Sequence, residues 1–255
     1  MAKRPLGQVF LHDPSILRRI VQTAQLSEED LVVEIGPGLG KLTKMLAEKV
    51  GKVIAIEFDE KLFERLKSGL AEYSNVKLIH ADALKYPYKD LPEFKVVSNI
   101  PYYITTPIIF RLLEVRKNLI SMTLTVQKEV AERIAATPGG KDYGLLSVKV
   151  QYYAEPKLKF VIPKGAFRPV PKVDSAVVHL NILKRPSVEV KDEKLFFRVV
   201  STAFSQRRKM LSNSLKSIKD DIGERLEEAG IDPKRRAETL SIEEFARLSD
   251  ILNEH

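Results

Sequence analysis

The chain has no cysteine and no tryptophan among its 255 residues. Without cysteine it can form neither a disulfide nor a thiolate nucleophile nor a cysteine zinc site. The histidines His12, His80, His179 and His255 show no spacing typical of metal ligands. We therefore predict a protein of a reducing compartment with no metal site.

Long apolar runs are also absent from the sequence, and acidic residues are fewer than basic ones. No apolar run reaches membrane-spanning length, and Met1–Pro5 lacks the apolar core of a signal peptide. Lysine and arginine number 42 against 34 acidic residues, which gives a net charge of +8. We therefore expect a cytoplasmic monomer that has no membrane partner and that binds a polyanion.

A strand, a tight loop and a helix are predicted around three glycines. The β-branched run Leu31–Ile35 leads into Gly36, Gly38 and Gly40, and an amphipathic segment follows. Glycines let the backbone approach a ligand closely, and the next helix offers unpaired N–H groups. In the dinucleotide fingerprint the third glycine would stand where Lys41 stands, which disfavours a nicotinamide cofactor.

Acidic residues follow the next two predicted strands. Glu57 comes after Lys52–Ile56, 21 residues beyond Gly36, and Asp82 comes after Val76–His80. In a parallel sheet these strand ends lie at one edge, where open α/β sheets bind ligands. Glu57 suits two ribose hydroxyls, and Asp82 suits an adenine amino group.

The most informative segment is Asn99–Tyr102, which follows the apolar run Val96–Ser98. An exocyclic amine such as adenine N6 is a poor nucleophile, because its lone pair is delocalised into the ring. The Asn99 side-chain oxygen and a backbone carbonyl beside Pro101 would accept its two hydrogens and free that lone pair. Tyr102 offers a flat face for an extruded base.

These motifs together resemble those of the S-adenosylmethionine-dependent ribosomal RNA adenine dimethyltransferases. The resemblance extends from near the N-terminus to the last helix. It rests on Gly7–Leu11, Glu34–Thr43, Glu57, Asp82, Asn99–Tyr102 and Phe167–Ser175. Gln206–Leu215 and Arg236–Ser241 are similar to the C-terminal domain of the bacterial small-subunit branch, the KsgA/RsmA family.

The resemblance implies an α/β fold, a class I methyltransferase with a Rossmann-like, mostly parallel seven-stranded sheet and a small all-helical C-terminal domain. It implies S-adenosyl-L-methionine as cofactor and a catalytic set of Asn99, Pro101, Tyr102 and Phe167. It also implies a cofactor-binding set of Gln8, Val9, Leu11, Gly36, Gly38, Glu57, Phe58, Asp82, Ala83 and Asn99. The family often has Asn or His where Val9 stands, so any contact by Val9 is through its backbone or apolar.

We expect a methyltransferase domain over residues 1–183 and a helical RNA-recognition domain over 184–255. Residues 184–219 carry ten Lys or Arg and three acids, whereas 220–255 carry five and eleven. The predicted RNA contacts are Lys141, Arg207, Arg208, Lys209 and Lys216. Leu145–Glu155 and Val173–Leu183 are predicted to be added strands, with Leu158–Ile162 between them.

The implied substrate is a pair of adjacent adenosines in the hairpin loop near the 3′ end of 16S rRNA, in an immature 30S subunit. Without the family resemblance, the residues indicate only that the substrate is an adenine in RNA. An RNA-binding assembly factor with secondary methylation remains an alternative, as does a large-subunit methyltransferase of the erythromycin-resistance type. DNA adenine methylation is disfavoured, since those enzymes usually have aspartate where Asn99 stands.

Overall fold

The computed structural model describes residues 9–254, which form two compact units. The first unit extends to Ala131 and resumes at Glu155–Ile182; the second comprises Glu132–Ala154 and begins again at Leu183. The predicted boundary at 183 lies beside the last division. Residues 132–154, which we assigned from sequence to the first domain, group instead with the C-terminal helices. The functional roles of the two domains stay a prediction.

A mostly parallel sheet organises the first unit. The strands are β1 Phe10–Leu11, β2 Leu31–Ile35, β3 Lys52–Glu57, β4 Val76–His80, β5 Phe94–Asn99, β6 Leu119–Gln127, β7 Ala154–Ile162, β8 Phe167–Arg168 and β9 Ser175–Ile182. Seven of them form one sheet in the order β4-β3-β2-β5-β6-β9-β7, and β1 pairs with β8. This is the class I methyltransferase topology that the family resemblance implied.

The strand order determines where a ligand binds. From β2 the chain adds β3 and β4 on one side and β5 and β6 on the other, all parallel to their neighbours, whereas β9 is antiparallel to β6. The order therefore reverses at β2 and β5. Open α/β sheets bind ligands at such a point, outside the carboxyl ends of the strands.

The first unit contains helices as well as the sheet, and the second unit is mainly helical. The helices are α1 Pro14–Thr23, α2 Lys41–Ala47, α3 Glu60–Gly69, α4 Thr105–Glu114, α5 Lys128–Ala135, α6 Leu145–Tyr153, α7 Glu193–Ser205, α8 Leu211–Ser214, α9 Ile222–Glu228 and α10 Ile242–Glu254. Asp13 caps α1 by accepting the Ser15 N–H at 2.8 Å, and Pro14 occupies the first turn. Within residues 9–254, none of the helices has both the length and the apolar character to cross a bilayer.

The prediction of a strand over Leu145–Glu155 was wrong, because Leu145–Tyr153 is helix α6. Its apolar residues are buried on most sides, so the segment lacks the polar face that marks an amphipathic helix. The helix is fixed by contacts distant in sequence. The Ser147 hydroxyl donates to the Arg133 carbonyl at 2.5 Å, and the Gln151 amide donates to the carbonyls of Ile134 and Ala136 at 3.0 and 2.9 Å.

Candidate active site

Asn99 ends β5 beside the point where the strand order reverses. The preceding residue, Ser98, is fully buried, and its Oγ accepts the Ile35 N–H at 2.7 Å, which ties β5 to β2. The Ile100 N–H donates to the Thr125 carbonyl of β6 at 3.1 Å. The Asn99 Oδ1 atom is buried and has no hydrogen-bond partner among the described residues. A buried acceptor left open in this way is available to a ligand.

Pro101 joins this loop to the glycine loop. A Cβ added to Gly36, whose φ is +69°, would lie 3.3 Å from Cδ and Cγ of the proline ring. The two loops therefore pack against each other with no space for a side chain. The Pro101 carbonyl already accepts the Ile104 N–H at 3.1 Å, so the Ile100 carbonyl is the candidate for the second acceptor beside Asn99.

Tyr102 is the aromatic residue that the structure brings beside Asn99. Its ring is half-buried, and its hydroxyl shares a 2.7 Å hydrogen bond with Ser175 Oγ at the start of β9. Burial raises the pKa of the Tyr102 hydroxyl, and the bond to Ser175 opposes that shift. Tyr102 is therefore a fixed neutral aromatic at neutral pH.

Glu57 is the last residue of β3, and its side chain is hydrogen-bonded to the glycine loop. One carboxylate oxygen accepts the Gly38 N–H at 3.2 Å, and the other accepts the N–H groups of Phe58 and Asp59, each at 2.9 Å. Burial raises the pKa of Glu57, and these three bonds oppose the rise. The carboxylate is thus held in one orientation by backbone groups.

Two neighbouring pockets lie over these strand ends, and both are lined by Gly36, Glu57 and Pro101. The first is completed by residues that include Glu34, Gly38, Asn99 and Tyr102. The second includes Phe58, Asp82, Ala83 and Tyr103. Glu57 therefore lies between a pocket with the predicted catalytic loop and a pocket with the predicted adenine acceptor, where a ribose would connect the two.

The second pocket contains an acid and two exposed aromatics. Asp82 Oδ1 accepts the Leu84 N–H at 2.9 Å, which orients its carboxylate after β4. Phe58 and Tyr103 are 58% and 54% exposed although both line the pocket. Tyr103 was not predicted as a site residue. Its position directly after Tyr102 in a predicted binding loop is the signal that identifies it.

Residues 9–11, the described part of the N-terminal segment, line the first pocket. Gln8 lies outside the described residues, whereas Val9 and Leu11 line the pocket. The β1–β8 pairing fastens this segment, with Leu11 opposite Phe167. A Cβ on Gly38, whose φ is +59°, would lie 2.9 Å from the Phe10 ring, so this ring lies against the glycine loop.

Phe167 is the predicted catalytic residue that the structure does not bring to the pocket. Its side chain is 0% exposed and belongs to the core cluster that contains Leu11, Leu17 and Phe160. The family resemblance implies that Phe167 faces the target base from the side opposite Tyr102. Of these two rings, Tyr102 is the one that lines the first pocket. Stacking by Phe167 stays a prediction.

The predicted RNA-binding residues all lie in the second unit and are exposed. Arg207 differs from the others because its Nη2 donates to the carbonyls of Lys141 and Tyr143, at 2.6 and 3.0 Å. It also lies 3.9 Å from a Glu238 carboxylate oxygen. Arg207 therefore stabilises the loop before α6, whereas Arg208, Lys209 and Lys216 remain the better candidates for phosphate contacts.

Glu34 is a site residue for which the sequence suggested no role. It lies within β2, is 2% exposed, and its Oε2 has no hydrogen-bond partner among the described residues. Burial raises its pKa to about 8; the nearby Thr43 hydroxyl opposes the rise and Glu57 adds to it. The Thr43 hydroxyl likewise has no hydrogen-bond partner within residues 9–254. An acid inside a wholly buried strand is the sequence signal that could have identified it.

The raised pKa predicts a pH-dependent stability. The folded protein holds the Glu34 proton more tightly than the unfolded chain, so this stabilisation is complete below about pH 4.5 and is lost as pH rises through about 8. The Glu34→Gln variant keeps a neutral side chain. We expect its free energy of unfolding, minus that of the parent, to grow by roughly 3 kcal/mol between pH 5.5 and 8.

Chemical denaturation at several pH values measures this difference. Glu48→Gln, at an exposed position after α2, is the matched control and should give a difference that does not change with pH. A pH-independent difference for Glu34→Gln as well would show that Glu34 is ionised in the folded protein.

The sheet topology, the glycine loop and the acids at successive strand ends define a class I S-adenosylmethionine-dependent methyltransferase. The family model for ribosomal RNA adenine dimethylase matches residues 1–254. The chain belongs to that family and is an rRNA adenine dimethyltransferase, with S-adenosyl-L-methionine as the methyl donor.

Similar proteins agree with this assignment. The chain is 50% identical over 252 residues to the ribosomal RNA small subunit methyltransferase A of Clostridium acetobutylicum, covering 96% of this chain and 91% of that protein. It resembles the crystal structure of a dimethyladenosine transferase from Plasmodium falciparum with a TM-score of 0.78 and 27% identity, over 94% and 95% of the two chains. The 23S rRNA methyltransferase ErmE gives 0.75 and 29%, over 96% and 99%.

Proposed function

We propose that this protein dimethylates N6 of two adjacent adenosines in the 3′-terminal hairpin loop of 16S rRNA, on an immature 30S subunit in the cytoplasm. The observation that carries the proposal is the open Asn99 Oδ1, buried beside Pro101 and Tyr102. An amide oxygen and a backbone carbonyl match the two hydrogens of an adenine amino group. A hydrolase or a redox enzyme would not need this pair.

The residues of the two pockets fit the cofactor. The glycine loop has no room for side chains at Gly36 and Gly38, because Pro101 and Phe10 pack against these two positions. Both this loop and the one that contains Pro101 line the first pocket, so the glycine loop brings its backbone rather than side chains to this wall. Glu57 is oriented to accept ribose hydroxyls, and Asp82 is oriented to accept the adenine amino group. The bound cofactor supplies an electrophilic methyl group on a positively charged sulfur.

The chain's contribution to the chemistry is orientation. Asn99 and the Ile100 carbonyl hold the target amine with its lone pair toward the methyl group. Holding the two reacting groups in this geometry lowers the activation barrier. Tyr102 stacks the extruded base and offsets part of its unstacking cost, which is of order a few kcal/mol. No side chain needs to act as a general base, because the amine loses its proton after it has gained the methyl group.

The small-subunit substrate rests on sequence rather than on fold. The structures of the dimethyladenosine transferase and of the 23S enzyme resemble this chain almost equally, with TM-scores of 0.78 and 0.75. The 50% identity is to a protein named for the small subunit. Identity at this level over nearly the whole chain favours the same RNA.

Transfer of labelled methyl groups tests the proposal. Unmethylated small subunits, large subunits, naked RNA and duplex DNA are compared as acceptors, and the product nucleoside is identified by mass spectrometry. We expect N6,N6-dimethyladenosine in small subunits, at two adjacent positions. Label in large-subunit RNA would instead indicate a methyltransferase of the erythromycin-resistance type. Tight binding to the subunit without methyl transfer would favour an assembly factor.

Charge changes in the second unit should weaken RNA binding uniformly. We expect the double variant Arg208→Ala/Lys209→Ala to reduce the slope of log affinity against log salt by nearly one unit for each lost phosphate contact. The control pair Lys49→Ala/Lys52→Ala removes the same charge from two exposed positions in the first unit, one before β3 and one at its first residue. Filter binding to small subunits at several salt concentrations measures both slopes, and equal slopes would remove these residues from the interface.

A further inference from the structure

The two buried carboxyl groups of the first pocket differ in how they are supported. Glu57 accepts three backbone N–H groups, which favour its charged form. Glu34 is 2% exposed, and no hydrogen bond reaches its Oε2. When two carboxyl groups share a site, the one that accepts fewer hydrogen bonds keeps its proton more readily. Glu34 is therefore the neutral member of the pair before a ligand binds.

Few charges around Glu34 compensate for its ionisation. Its titratable neighbours in the pocket wall are Glu57 from β3, Lys41 from α2 and Tyr102 from the loop after β5. Tyr102 is neutral, and the exposed Lys41 Nζ lies 2.9 Å from His12 Nδ1. A positive charge brought by a ligand would thus be the main new partner for a Glu34 carboxylate.

The methyl donor and its demethylated product differ in that respect. S-adenosylmethionine carries a sulfonium charge, and S-adenosylhomocysteine, which remains after methyl transfer, has a neutral thioether. Two methyl groups on each adenosine require repeated exchange of the product for fresh cofactor. A pocket with a fixed carboxylate would favour the cation but would carry an uncompensated buried charge each time it was vacated.

We propose that Glu34 is a charge-responsive positioning residue that loses its proton when the cationic cofactor binds and regains one when the neutral product remains. The O–H bond of the Glu34 carboxyl group breaks on binding, its electron pair stays on the carboxylate, and the proton passes to solvent. After transfer the carboxylate takes up a proton, so the site never holds an unpaired charge. This proposal rests on the proposed function, because it requires the cofactor to occupy the first pocket.

Proton exchange on binding tests the proposal without relying on turnover. Titration calorimetry at pH 7 in two buffers of different ionisation enthalpy gives the number of protons released with each ligand. We expect a release on the order of one proton more for S-adenosylmethionine than for S-adenosylhomocysteine. The ratio of the two affinities should rise with pH by up to about tenfold per unit below pH 8.

The Glu34→Gln variant separates Glu34 from the amino groups of the ligands, which also titrate near neutral pH. It should bind both ligands, and the difference in proton release should disappear, whereas Glu48→Gln should keep it. Equal proton release for the two ligands in the parent protein would overturn the proposal. So would an unchanged difference in Glu34→Gln. Failure to bind S-adenosylmethionine at all would instead contradict the proposed cofactor site.

Discussion

Replacing Asn99 with alanine should lower kcat for methyl transfer by about 10²–10³-fold, while the affinity for S-adenosylmethionine falls by less than about tenfold. The Asn99 Oδ1 is a buried acceptor at the pocket that has no hydrogen-bond partner among the described residues. Its removal leaves the target amine without the partner that frees its lone pair. Single-turnover transfer to small subunits, together with titration of the cofactor, measures the two quantities separately.

The control for this variant is Asn213→Ala, which removes the same side chain from an exposed position in α8. It should retain full activity. Retained transfer in Asn99→Ala would contradict the catalytic role. If small subunits still mature in cells that carry Asn99→Ala, the protein supports assembly by binding the subunit and not by methyl transfer.

Replacing Glu57 with alanine should weaken cofactor binding by roughly 100-fold or more. The change removes the acceptor of three backbone N–H groups and the candidate partner of the ribose hydroxyls. Each buried hydrogen bond left unmade costs about 1–3 kcal/mol, and about 2.7 kcal/mol corresponds to 100-fold. Titration calorimetry with S-adenosylmethionine measures the affinity.

Glu60→Ala provides the comparison, since it removes an exposed carboxylate three residues further on, in the first turn of α3. It should bind the cofactor as the parent does. If both variants bound equally, Glu57 would be a purely structural acid of the glycine loop. Circular dichroism establishes that Glu57→Ala is folded before its affinity is interpreted.

The parts of the site that the sequence predicted are those that local patterns determine. The strand before Gly36 and the acid after each of the next two strands were predictable, because parallel strands bring their carboxyl ends to one edge. Helix α1 was predictable from Asp13 and Pro14, which supply a cap and a first-turn proline. The family motifs then supplied the ligand and the reaction.

The remaining features depend on contacts that no local pattern encodes. The sequence of helix α6 predicts a strand because it is rich in β-branched and aromatic residues. In the structure these residues are buried, and Tyr152 stacks on Phe196 of α7, which is distant in sequence. The environment of Glu34 depends on the Thr43 hydroxyl of α2 and the Glu57 carboxylate of β3, which no pattern within β2 encodes. Phe167 lies in the core because β8 pairs with β1, and Arg207 binds carbonyls of a loop over 60 residues away.

The most direct test of the central claim is a crystal structure with an unreactive cofactor analogue and an RNA hairpin that carries the target adenosines. We predict that the extruded adenine places N6 about 3 Å from both Asn99 Oδ1 and the Ile100 carbonyl. The analogue should extend from the first pocket past Glu57 to Asp82, with its reactive position facing N6. An adenine bound away from Asn99, or an analogue outside these two pockets, would contradict the account.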